Sequence, residues 1–107
     1  QKVTVTGAVA APGVYALQGR TTLLQVIAMA KGADRVANER RIIIYRTINN
    51  QKMGALYDLA AIRAGTLDDP EVFARDVIVV EKSGVKSAFR DVAGAMPVFG
   101  LFRPLIY

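Results

Sequence analysis

Apolar and polar residues alternate from the start of the chain. Over residues 2–6, Val3 and Val5 fall on one side and Lys2, Thr4 and Thr6 on the other, the period-two pattern of a half-buried strand. After Gly7 and an alanine-rich stretch, Val14, Tyr15, Ala16 and Leu17 form a second short strand, and the two predict a hairpin. Pro12-Gly13 suits the centre of a type II turn, because proline presets the first φ and glycine accepts the positive second one. The period then becomes helical: Leu23, Val26, Ile27 and Ala30 recur at i, i+3, i+4 and i+7, Thr22 and Gln25 have capping-box spacing, and Lys31 with Gly32 supplies a stop. This predicts a packed helix over residues 22–31.

Ile42-Ile43-Ile44-Tyr45 is β-branched and nearly unbroken, the pattern of a central strand buried on both faces, with Arg40, Arg41 and Arg46 around it. Asn49-Asn50-Gln51 is a turn cluster before a weaker strand over residues 53–59, and a short helical stretch over 59–64 begins at the capping residue Asp58 and ends at Gly65. Asp68-Asp69-Pro70 reads as a polar loop, and residues 77–80 (Val-Ile-Val-Val) as a second strongly apolar strand. A hairpin, a packed helix and a returning strand pair define an α+β class: a β-grasp with a mixed sheet of about five strands and one packed helix.

The C-terminal stretch differs. Over residues 85–96, Val85, Ala88, Phe89, Val92 and Met96 share one helical face opposite Lys86, Ser87, Arg90 and Asp91, and Pro97 stops the run. Phe99, Leu101 and Phe102 continue the apolar character. The expected division is a β-grasp domain over residues 1–83 and an amphipathic interface segment over 84–107.

At 107 residues the chain builds one core, and 52% hydrophobic against 21% charged residues excludes low-hydrophobicity disorder. Arg90, Asp91 and Arg103 interrupt the C-terminal apolar region, so no stretch reaches the ~20 residues of a spanning helix. The net charge of +5 favours anionic partners such as acidic glycans, anionic lipid or nucleic acid. Without cysteine or histidine, most zinc sites, thiolate nucleophiles and Ser-His-Asp triads are removed together, and no phosphate-binding Gly-x-x-x-x-Gly-Lys loop occurs. The expectation is a non-enzyme with no catalytic residues, metal or cofactor. The chain opens at Gln1, which is read as the start of a processed or excised piece.

The order Val3-Thr4-Val5-Thr6-Gly7-Ala8-Val9, then Pro12-Gly13-Val14-Tyr15, Thr21 to Ala28, Lys31-Gly32-Ala33 and Asp76-Val77-Ile78-Val79-Val80 resembles the soluble-ligand-binding β-grasp (SLBB) domain over roughly residues 1–83. Such domains occur in outer-membrane polysaccharide export proteins of the Wza type, where they stack into periplasmic rings. The resemblance implies a self-associating, possible glycan-binding component of a capsule or exopolysaccharide export complex, in the periplasm or outer membrane of a Gram-negative bacterium, with an inner-membrane chain-length or export partner. The matched residues shape turns and pack the helix, so they speak to the fold more than to a ligand. One departure stands out: the family often has Gly-Asp before its last strand, whereas this chain has Arg75-Asp76, and a different turn type is expected there.

Among residues that could carry binding, Arg20, Arg35, Arg40 and Arg46, with Arg41 nearby, could meet an acidic polymer through their planar forks. Tyr45 could stack on a sugar, as could Tyr15 and Tyr57. Ordinary surface charge and core packing are the competing readings. Phe89, Val92, Met96, Phe99, Leu101 and Phe102 are candidates for contact with the outer membrane or a neighbouring subunit, against packing on their own domain. Asp68, Asp69 and Glu71 form the one close carboxylate cluster and read as a solvated loop, since they lack calcium-loop spacing and the burial that general acid catalysis needs. The rival functional reading is a polyanion- or ligand-binding module of another system, such as DNA uptake or cofactor binding. The apolar tail argues against a nucleic-acid role.

Overall fold

The computed structural model describes residues 1–83 and 102–104. In chain order the elements are β1 (Lys2–Gly7), β2 (Gly13–Ala16), β3 (Thr21–Thr22), α1 (Leu23–Met29), β4 (Ala37–Ile48), β5 (Gln51–Tyr57), α2 (Leu59–Arg63), β6 (Glu71–Val72), β7 (Val77–Lys82) and β8 (Arg103–Pro104). The main sheet runs β2-β1-β7-β4-β5-β8, and β3 pairs with β6 in a separate two-stranded ribbon. Strands β1 and β7 are parallel and the other pairs are antiparallel, so the sheet is mixed. Five strands carry it, β8 adding only two residues at the β5 edge, and α1 lies on one face: the α+β class expected.

Alternation along the strands sorts the two faces. Val3 and Val5 of β1, Ile42 and Ile44 of β4, Ala55 and Tyr57 of β5 and Ile78 and Val80 of β7 join Leu23, Val26 and Ile27 of α1 in one core. Ile43 and Leu56 face the other way and form a second, smaller cluster with Tyr45 partly buried against it. Burial of both faces is why residues 42–44 show no polar interruption.

The α1 capping box forms in both directions: Thr22 Oγ1 accepts from the Gln25 N–H at 3.3 Å, and Gln25 Oε1 accepts from the Thr22 N–H at 2.9 Å. The far end stops sooner than residue 31. Ala30 is the C-cap, Lys31 adopts φ 65°, and the N–H groups of Lys31 and Gly32 donate to Ala28 and Ile27 carbonyls at 3.0 and 2.9 Å. This is a Schellman cap with lysine in the left-handed position that glycine usually takes. At the β4–β5 hairpin, Asn49 and Asn50 both have positive φ and Ile48 faces Gln51, a two-residue turn of type I′ geometry. Gln51 therefore belongs to β5, not to the turn.

The first hairpin departs from expectation. Gly13 does not take a positive φ; it opens β2 opposite Val5. The left-handed residue is Gly7, at φ 90°, where a Cβ would collide with the carbonyl oxygen of Val80. Pro12-Gly13 therefore forms no type II turn, and the residues before it are held on the end of α1. The Ala10 and Ala11 N–H groups donate to Gly32 and Ala30 carbonyls at 3.0 and 2.9 Å, and Tyr15 Oη donates to the Ala11 carbonyl. No helix among the described residues is long and apolar enough to cross a membrane.

Candidate functional site

The turn that launches β7 is the most tightly determined polar structure among the described residues. The Asp76 N–H donates to the Phe73 carbonyl at 3.1 Å, and the Phe73 N–H donates back to Asp76 Oδ2 at 2.9 Å. Two bonds fasten the turn to β1: the Arg75 N–H donates to the Lys2 carbonyl at 2.7 Å and the Thr4 N–H to the Asp76 carbonyl at 3.0 Å. Arg75 sits at its third position with φ 73°, while Ala74 before it is not left-handed. That is the type II signature, which ordinarily calls for glycine or asparagine. The expectation of a different turn type is thus corrected: the glycine-like conformation is kept, and an arginine adopts it.

Asp76 is 1% exposed, and its charge is met by Arg46 from β4. Arg46 Nε donates to Oδ1 at 2.9 Å and Nη2 to Oδ2 at 2.8 Å, a bidentate fork, while Nη2 also reaches the Glu71 carbonyl at 3.3 Å. The guanidinium carbon lies 4.7 Å from the centre of the Phe73 ring and 4.4 Å from that of Phe102, so the cation contacts two aromatic faces while paired to a buried anion. Tyr57 lies near this pair, and burial pushes its phenol above the ordinary tyrosine value, with Arg46 pulling down and Asp76 adding to the rise.

Above this pair opens a groove of about 900 Å³, lined by Lys2, Arg46, Thr47, Ala74, Arg75 and Asp76 together with Gln1. The Arg46 and Asp76 charges cancel. Lys2 and Arg75 are exposed and neither is ion-paired to a described carboxylate, so the groove carries two uncompensated positive charges. Such a surface can bind an anion by charge and hydrogen-bond donation.

Of the arginines proposed from the sequence, Arg20 and Arg46 both contact Glu71, and they differ in how far their charge is already used. Arg46 has its fork filled and is only 19% exposed in its side chain. Arg20 is 82% exposed and meets Glu71 at 3.0 Å, beside a shallow depression formed with Ala16, Gln18, Gln25 and Met29. Arg40 and Arg35 are exposed. Arg40 lies six residues back along β4 from Arg46, roughly 20 Å at strand spacing. Tyr45 adjoins Arg46 in sequence, but strand alternation puts it on the other face, partly buried against Ile43 and Leu56. Arg41 pairs with Glu81 at 3.0 Å and leaves its buried Nη2 without a hydrogen-bond partner.

The carboxylate cluster is occupied structurally. Asp69 Oδ1 accepts from the Leu24 N–H at 3.0 Å, adding a second cap to α1, and Glu71 holds Arg20. No group of three metal-ligating side chains gathers among the described residues. Phe102, read from the sequence as part of an interface stripe, packs partly buried on its own domain's core and over Arg46. Phe89, Val92, Met96, Phe99 and Leu101 lie outside the described residues. Lys2 and Arg75, which line the groove, are not among the residues singled out from the sequence as binding candidates. The one signal for Arg75 was its place before Asp76, where a glycine would be ordinary.

The mixed sheet and the helix across it define a β-grasp domain. Comparison with family models matches residues 2–56, just over half of the chain, to the SLBB domain, and the chain belongs to that family. The match spans β1 through β5 up to Leu56. The turn at Phe73 and strand β7 lie beyond it. No significant match to a curated protein is found.

Proposed function

We propose that this SLBB module acts without catalysis in a polysaccharide export assembly of the Gram-negative envelope, as a self-associating periplasmic wall element that meets an acidic glycan. Membership of the SLBB family carries the reading, since such domains occur in polysaccharide export proteins. The net charge of +5 and the positively charged groove suit an acidic cargo. Outer-membrane or neighbouring-subunit contact through the C-terminal segment, and an inner-membrane export partner, complete the proposed assembly. The experiment removes the coding sequence for residues 1–107 from its gene in the source organism and measures surface polysaccharide beside polysaccharide retained in the cell. Loss at the surface with accumulation inside is expected. Unchanged surface polysaccharide would overturn the export role.

A further inference from the structure

A non-glycine residue in the left-handed region is disfavoured, and a turn with this geometry accepts glycine or asparagine at lower cost. Arg75 occupies that position at φ 73°. Its backbone is held by its own N–H bond to Lys2, by the Asp76 carboxylate on Phe73 and by the Asp76 carbonyl on Thr4. None of those contacts uses the arginine side chain. The guanidinium forms no ion pair with a described carboxylate, is exposed, and lines the open groove beside Lys2. A strained backbone kept for a side chain that does nothing for the fold points to work outside it.

We infer that Arg75 and Lys2 form a paired anion site that grips carboxylate groups of an acidic polysaccharide, an assignment that rests on the glycan-export reading for the polymer and on the geometry for the site. The 2.7 Å bond from the Arg75 N–H to the Lys2 carbonyl fixes the two backbones against each other, so binding has only the two side chains left to order. Both oxygens of Asp76, the one carboxylate among the described residues that line the groove, are taken by Arg46, so it does not compete for Lys2 and Arg75. Arginine supplies a planar fork for a carboxylate and lysine a mobile point charge, a combination suited to successive acid groups along a chain. Arg46 serves as the neutralised floor of the site rather than as a ligand contact.

The test uses the 107-residue chain with oligomers of polygalacturonate, neutral dextran and dextran sulfate at two salt concentrations. The wild type is expected to bind polygalacturonate in a salt-sensitive way and to ignore dextran. Arg75→Gly is expected to raise the melting temperature, by releasing the backbone, while weakening polygalacturonate binding about tenfold, the loss of one charge-assisted contact. Lys2→Gln is expected to weaken binding with little change in melting temperature. An R75G variant that binds as tightly as wild type, with the same salt dependence, overturns the site; one that melts lower overturns the strain argument beneath it. Equal wild-type affinity for dextran sulfate and polygalacturonate overturns the carboxylate assignment. R75G and K2Q are also carried into the export assay. Lost binding beside intact export leaves the site standing but overturns its use in export, while the export role itself falls only if removing residues 1–107 leaves surface polysaccharide unchanged; unaffected binding beside impaired export sinks the site alone.

Discussion

Removing the Asp76 carboxylate tests the centre of the structure. Asp76→Ala deletes both acceptors of the Arg46 fork and the acceptor of the Phe73 N–H. Breaking a buried ion pair from one side costs about 3–5 kcal/mol, because the remaining charge keeps its desolvation penalty without its partner. Arg46 retains the Glu71 carbonyl, two aromatic faces and some solvent contact at 19% side-chain exposure, which places its share at the low end. The orphaned Phe73 N–H adds about 1 kcal/mol, for a total of about 4 kcal/mol, a large part of a small domain's stability. Arg46→Met strands a carboxylate that is 1% exposed and should cost a similar amount. The double variant removes both charges, so its cost should fall short of the sum by about 2 kcal/mol or more. Urea denaturation followed by circular dichroism, for wild type, both single variants and the double, measures the coupling. A loss below about 1 kcal/mol for Asp76→Ala, or additivity within about 0.5 kcal/mol, would show that the pair is solvated and does not organise the turn.

Two further outcomes follow from the same geometry. Gly7→Ala should cost about 2–5 kcal/mol through positive-φ strain and collision with the Val80 carbonyl, whereas Gly13→Ala should be nearly neutral, its nearest non-neighbouring atom being 4.0 Å away; paired thermal melts decide it, and equal losses would restore Gly13 as the critical turn residue. For Tyr57, burial favours the neutral phenol, so stability is fully present below the ordinary tyrosine value near pH 10 and falls above it, where the unfolded chain ionises first, until pH passes the raised native value. Urea midpoints between pH 8 and 11.5 should drop less steeply for Tyr57→Phe than for wild type, and identical slopes would mean that the phenol is solvated.

The α1 capping box, the apolar face of that helix, the Asp58 cap and the Asn49-Asn50 turn were legible because each is settled within one turn of chain. Thr22 and Gln25 are three residues apart, and their mutual bonds need nothing from the rest of the fold. Residues 42–44 announced burial on both faces because three consecutive isoleucines leave no polar side for water. The SLBB pattern was legible for the same reason, being made of turn and packing residues whose spacing is itself the signal.

The site was not legible in this way. Asp76 meets Arg46 across 30 positions and Asp69 caps α1 across 45, so what each charge does depends on which strands become neighbours. Arg46 reads from the sequence as a glycan contact or ordinary surface charge, and only the arrival of β7 beside β4 turns it into a buried fork closed by a carboxylate. Pro12-Gly13 reads as the turn of the first hairpin, and only the parallel pairing of β1 with β7, which sets the Val80 carbonyl against Gly7, makes Gly7 the residue that must be glycine. Local spacing determines what a segment of this chain can form. Strand pairing, which brings remote backbones within a few ångströms and excludes water between them, decided which charges are spent on the fold and which remain for a ligand.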